Sequence, residues 1–170
     1  MGEIRSTLDI IMEKAKNLEV TQEEKTEIRR KEIEAKAKGM VQRFLDGAVR
    51  LEDLTGEISN MDEQGQEWVK EAIKNDCMER INIEKGNKDI LELLEKVVGM
   101  STEPISSLIK EFQNKLSQEV ERVRGELAQG LREKGIKGSA VIANHKAWPH
   151  WSSLEKRLQN EFREQLGRLY

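Results

Sequence analysis

The sequence has one cysteine, two prolines, two histidines and an aromatic fraction of 4%. Each shortage excludes something. With Cys77 alone there is no internal disulfide, which fits a reducing compartment, and there is no thiol pair for zinc or redox chemistry. A lone thiol of this kind reads as a buried, inert side chain. His145 and His150 flank Pro149, a spacing that does not place both imidazoles on one helical face, and no cysteine or close carboxylate completes a metal set. No Gly-rich phosphate loop, dinucleotide-binding glycine fingerprint or zinc-protease histidine pair occurs. No cofactor is therefore expected, and catalysis is not the favoured reading. Long apolar runs are missing too: nothing approaches the roughly 20 residues that span a bilayer, and the N-terminus lacks the apolar core of a signal peptide. A soluble, cytoplasmic protein with no membrane partner is expected. Met1-Gly2-Glu3-Ile4-Arg5-Ser6 fits a loose N-myristoylation pattern, but Ile4 is better explained as the first apolar position of a helix.

What is abundant is charge. Charged and hydrophobic residues each make up 36% of the 170 residues, a balance between a compact globule and a coiled-coil protein, so the core is expected to be thin. The signs nearly cancel, with 29 basic and 32 acidic residues and a net charge of -3, so no overall field draws the chain to nucleic acid or an anionic membrane. The apolar residues recur with helical spacing. Ile4, Leu8, Ile11, Ala15 and Leu18 predict a short amphipathic helix over 3–17. Thr21-Gln22-Glu23-Glu24 forms a capping box that opens a second helix. Its first half carries Glu27/Lys31, Glu32/Lys36 and Glu34/Lys38 at solvated four-residue spacing, and its second half buries Met40, Val41, Phe44, Leu45 and Ala48. Between Leu51 and Glu67 the apolar residues thin out around Gly56, Asn60, Asp62 and Gly65, predicting a short helical turn and a connector. A third helix presents Trp68, Val69, Ala72, Ile73, Cys77, Arg80 and Ile81. After Glu84-Lys85-Gly86-Asn87 a fourth presents Ile90, Leu91, Leu94, Val97 and Val98 and stops at Gly99.

Ser101-Thr102-Glu103-Pro104 combines a cap residue with a first-turn proline and opens the longest regular element. Ile105, Ile109, Phe112, Leu116, Val120, Val123, Leu127 and Leu131 repeat every eleven residues, close to the natural helical period, which gives a seam that runs nearly straight. Its length is on the order of 45 Å. Gly125 and Gly130 weaken it by about 1 kcal/mol each relative to alanine, and mark either close packing or a bend. Trp151, Leu154, Leu158, Phe162, Leu166 and Leu169 form a final seam with the same spacing. The expected fold is all-α: a small helical body over 1–100, then over 101–170 the long helix and C-terminal helix as an antiparallel helical hairpin joined by one extended segment. A single domain over 1–170 is the alternative. Matching periods also leave room for a homodimer.

The joining segment is the compositional anomaly. Gly138-Ser139-Ala140-Val141-Ile142-Ala143-Asn144 carries no charge; Gly135 and Gly138 permit positive φ, and the apolar, partly β-branched run Ala140 to Ala143 favours extended backbone. Its only strand candidate elsewhere is Ile81-Asn82-Ile83. Such a segment either packs as a connector over helix ends or pairs with another chain by β-augmentation. Gly138, Ser139, Ala140, Val141, Ile142 and Asn144 are therefore the candidate interaction residues. Trp148 joins them because tryptophan is common at binding hot spots, whereas Trp151 falls on the helical seam. Residues 122–146 hold six basic side chains against two acidic ones, a local +4. This makes Arg132, Lys134 and Lys137 candidate anion contacts, although cations are also expected at a helix C-terminus from its dipole alone.

MGEIRSTLDIIMEKAK and GIKGSAVIANHKAWPHW together resemble a family of small, uncharacterised bacterial proteins, which has a proline where this chain has Ala143. The resemblance implies a bacterial cytoplasmic setting and supplies no activity or site residue. The leading expectation is a noncatalytic helical protein–protein interaction or assembly factor. An RNA- or ribosome-associated factor using the basic end of the long helix is the alternative, and a small-ligand protein or enzyme beside Ser139 and Asn144 is the third.

Overall fold

A computed structural model describes residues 21–84, 86–136, 138 and 141–170. The helix expected over 3–17 lies outside them. Among the described residues the chain is all-α, with no strand. Contacts group it into two compact units, Met1–Ile73 and Lys74–Tyr170.

In the first unit, helix α1 spans Gln22–Leu45. Its capping box is formed: the Glu24 amide donates to the Thr21 hydroxyl at 3.2 Å and the Thr21 amide donates to the Glu24 carboxylate at 2.8 Å. Ala37, Met40 and Val41 are buried, while Phe44 and Leu45 are half-buried and Ala48 is exposed. The helix stops before Ala48 because Gly47, at φ 70°, closes it in a Schellman turn. The Gly47 amide donates to the Phe44 carbonyl and the Ala48 amide to Arg43, both at 2.9 Å. Of the expected charge pairs, Glu27–Lys31 forms at 3.4 Å. Lys36 instead reaches Glu57 at 3.1 Å, and Glu34 pairs with Arg30 at 3.3 Å.

Leu51–Ser59 is a helix of nine residues, α2, longer than the short helical turn predicted there. Leu51, Leu54 and Ile58 stand at helical spacing, and burial of Leu54 and Ile58 outweighs the cost of Gly56, since each such side chain contributes roughly 1.5–3 kcal/mol. Glu57 accepts from both Lys36 and Arg43 of α1. Hydrogen bonding to Lys36, against some opposing desolvation, and to Arg43 lowers its pKa. Helix α3 spans Glu63–Arg80. Arg29 of α1 pairs with Asp62 and lies over the Trp68 ring, and Arg30 reaches Glu71 at 3.3 Å. Exposed pairs like these contribute at most about 1 kcal/mol each, so they select geometry more than they stabilise it.

The second unit begins with the last turns of α3. Cys77 is fully buried, and desolvation, with the Asp76 carboxylate adding to it, pushes its thiol up to about 12. Ile81 and Ile83 are also buried, but in a loop and not a strand. Asn87 closes that loop: its side-chain oxygen accepts from the Asn82 amide at 3.1 Å and its side-chain nitrogen donates to the Asn82 carbonyl at 2.7 Å. Helix α4, Lys88–Leu93, continues as a π-helix over Leu94–Val98. Gly99 at φ 78° ends it.

Helix α5 spans Glu103–Glu133 and α6 spans Trp151–Arg168. Phe112 and Phe162 meet edge to face, 5.5 Å between centroids. The Tyr170 hydroxyl donates to the Ser101 carbonyl at 2.9 Å, and Arg122 lies over the Trp148 ring. Positions rise along α5 as they fall along α6, so the two helices run antiparallel. On α6, Trp151, Leu154, Leu158, Phe162 and Leu166 are buried, whereas Leu169 is 40% exposed because the helix ends at Arg168. Arg163 donates to the Met78 carbonyl at 3.0 Å and the Glu79 carbonyl at 2.8 Å, which satisfies acceptors that the last turn of α3 leaves open.

Candidate functional site

The anomalous segment starts where α5 stops. Gly135 at φ 79° supplies the left-handed residue of a second Schellman turn. Its amide donates to the Arg132 carbonyl and the Ile136 amide to Leu131, both at 3.0 Å. The turn directs the chain off the helix axis and leaves Ile136 48% exposed. Gly138 takes φ 147°, and its carbonyl accepts from the Val141 amide at 3.2 Å. Val141 is 41% exposed and Ile142 82%. Ala143 turns inward and is buried, and the Asn144 side chain accepts from the Lys146 amide at 3.1 Å, capping the 3-10 turn His145–Ala147. Ser139, Ala140 and Lys137 lie outside the described residues.

Two histidine–tryptophan pairs brace the far side of this segment. His145 meets the buried Trp151 edge to face at 4.6 Å, and His150 meets Trp148 at 5.2 Å. Trp148 is half-buried, with the Arg122 guanidinium 5.3 Å from its centroid. The indole N–H of Trp151 is buried without a hydrogen-bond partner among the described residues. These contacts make the tryptophans anchors of the connector, and they leave the aliphatic residues as its outward face.

The local charge resolves into two groups. Arg122 pairs with Glu119 at 2.8 Å and with Glu126, and Arg124 pairs with Glu121 at 2.9 Å. Hydrogen bonding to Glu119 raises the Arg122 pKa above its ordinary value. Arg132, Lys134 and Lys146 are exposed and have no ion pair among the described residues. These cations, with the exposed Glu133 between Arg132 and Lys134, lie within a few positions of Ile136, Val141 and Ile142 in the sequence. Two residues of the Gly135–Trp151 segment were not singled out as candidate contacts from sequence. Ile136 directly follows the glycine that ends α5 and is 48% exposed, and Lys146 follows the uncharged run.

Reactive chemistry is sparse. Among the described residues no group of three His, Cys, Asp or Glu side chains is placed to hold a metal, and no helix is long and apolar enough to cross a membrane. Clefts of about 370, 400 and 420 Å³ occur elsewhere. The first, in the second unit, has Ile83, Leu116, Leu158 and Phe162 as its apolar lining and Asn82 and Arg163 among its polar groups. None of the three is lined by Gly138 or Asn144. No protein-family model matches this chain, and no curated protein and no solved structure matches it.

Proposed function

We propose that this chain is a noncatalytic helical interaction or assembly factor whose contact surface is the segment from Gly135 to Trp151. The observation that carries the reading is the exposure of Ile142 at 82%, with Ile136 and Val141 at 48% and 41% beside it. Scattered single exposed apolar residues are ordinary; three aliphatics within seven positions, backed by an anchored turn, fit a surface that a partner covers. The resemblance of two stretches to small bacterial proteins supports a bacterial cytoplasmic setting for that partner. Affinity capture with the full chain, compared with its Ile142→Asp variant, tests the proposal. A partner retained by the wild type and lost by the variant is expected. Equal recovery by both, or no partner combined with strictly monomeric light scattering, refutes it.

A second reading, an RNA- or ribosome-associated factor, draws on Arg132, Lys134 and Lys146, which are exposed and have no ion pair among the described residues. Three phosphate contacts of that kind give binding that weakens steeply as salt rises. RNA binding insensitive to salt, or absent at low salt, removes it.

A further inference from the structure

We infer that the cleft formed by α6, α5 and residues 82–84 binds a small organic cation, an ammonium group carried on an aliphatic or aromatic body. The site lies within the second unit and is independent of the Gly135–Trp151 segment. Its walls come from three elements that other contacts hold in place. From α6, Glu155, Leu158, Gln159, Phe162 and Arg163 stand at i, i+3, i+4, i+7 and i+8, a single stripe of the helix. Asn82, Ile83 and Glu84 supply the facing loop, and Leu116 comes from α5. Asn87 clamps both main-chain groups of Asn82, and the Gln113 side chain of α5 donates to the Glu84 carbonyl at 2.9 Å. The walls are thus set before a ligand arrives, which avoids the ordering cost of a loose loop site.

Two properties of the cleft select its ligand. The floor is apolar: Ile83, Leu158 and Phe162 are buried and Leu116 is half-buried. The rim is acidic: the Glu84 and Glu155 carboxylates have no hydrogen bond or ion pair among the described residues, and the Gln159 and Asn160 side chains are equally open there. Arg163 is the cation of the lining, but both of its terminal nitrogens donate to the Met78 and Glu79 carbonyls, so an anion meets no free guanidinium fork. The complementary group is therefore a cation with N–H donors, and the complementary body is apolar. A divalent metal fits less well, because among the described residues no three His, Cys, Asp or Glu side chains gather to hold one, and the apolar floor offers an ion nothing. A protein partner fits less well too. The cleft volume of about 370 Å³ lies at the small end of small-molecule sites, roughly 300–1,000 Å³, whereas a stable protein contact covers about 800 Å² on each side.

The test is titration of the isotope-labelled full chain, followed by heteronuclear NMR. Phenethylamine, phenethyl alcohol and hydrocinnamate carry an aromatic body with different charge, and methylamine carries the charge alone. Phenethylamine is expected to bind with a Kd of about 1 mM and to move the backbone amides of residues 82–84 and 155–163. The other three probes should bind about tenfold more weakly, through loss of the charged hydrogen bond or of the apolar contact. Glu84→Gln with Glu155→Gln is expected to bring phenethylamine down to the level of the alcohol, and Leu116→Ala to weaken every probe that carries the aromatic body. The same spectra show that each variant is folded, and the glutamate pair, exposed at Glu84 and half-buried at Glu155, lies outside the core. Phenethylamine binding no tighter than the alcohol or methylamine, shifts scattered over the acidic surface, or binding untouched by the glutamate replacements overturns the inference. Binding by none of the probes, or calcium chloride moving the same amides at lower concentration, overturns it too. Partner capture through Ile142 is read separately, and Glu84→Gln with Glu155→Gln should leave it intact.

Discussion

Gly125 and Gly130 sit inside α5, a helix of 31 residues, and a Cβ built at either position meets nothing within 4 Å. Close packing against a neighbouring element is therefore not why these positions are glycine. Replacing each by alanine removes about 1 kcal/mol of helix penalty, and with no shared partner the two effects should add to about 2 kcal/mol. For a chain of this length that corresponds to a rise in Tm of about 4–8 °C. Urea denaturation followed by circular dichroism measures it: the midpoint of the Gly125→Ala/Gly130→Ala variant should move up with an unchanged slope. Gly135 is the control of opposite sign. A Cβ there also meets open space, but its φ of 79° costs a non-glycine residue roughly 1–2 kcal/mol, so Gly135→Ala should lower the midpoint. If the double variant is no more stable than the wild type, open space is not the relevant property and the two glycines hold a bend that alanine resists. If Gly135→Ala is neutral, the Schellman turn does not set the end of α5.

Phe162→Ala should cost about 3–5 kcal/mol, because Phe162 is almost fully buried and meets Phe112 edge to face; a double-mutant cycle with Phe112→Ala should show coupling of about 0.5–1.5 kcal/mol, and additive effects would mean the rings stabilise separately. Asn87→Ala strips both bonds that close the 82–87 loop and leaves part-buried backbone groups unsatisfied, so a loss of about 1–3 kcal/mol is expected in equilibrium unfolding. Cys77 should resist alkylation in the native state and react readily in urea. Its thiol ionises at about 12 when folded, against an ordinary 9.0, so between those values the unfolded state has released a proton that the native state keeps. Stability therefore falls as pH rises through that window, and Cys77→Ala should flatten the fall.

The helices were legible wherever apolar spacing and caps agreed. Thr21 with Glu24, Pro104 in the first turn of α5, and Gly99 and Gly135 in left-handed backbone all stand where local chemistry puts them. The length of α2 was under-read because Gly56 and Asn60 outweighed the spacing of Leu51, Leu54 and Ile58. Glycine in a helix costs only about 1 kcal/mol, less than one buried leucine returns. The partners of charged side chains were not legible either. Lys36 has Glu32 at four-residue spacing on its own helix and still reaches Glu57, because position within one helix carries no information on what the next helix brings near.

The same limit governs the contact surface. From sequence alone, Trp151 falls on the helical seam, but Trp148 and the uncharged run stood together as candidates, since nothing in the spacing says which of them turns in. The fold separates them by giving each aromatic ring a neighbour: Trp151 takes His145, and Trp148 takes His150 and Arg122. Arg122 is itself held by Glu119 and Glu126, so the positive charge nearest Trp148 is already neutralised within the chain. What remains exposed after the end of α5 is Ile136, Val141 and Ile142, in the same stretch of sequence as Arg132, Lys134 and Lys146. Apolar area supplies affinity without direction, while unneutralised charge selects among apolar partners by the repulsion it imposes on the wrong ones. In the proposed contact surface the charges would therefore decide which occupant is tolerated, while Ile136, Val141 and Ile142 would decide how tightly it is held.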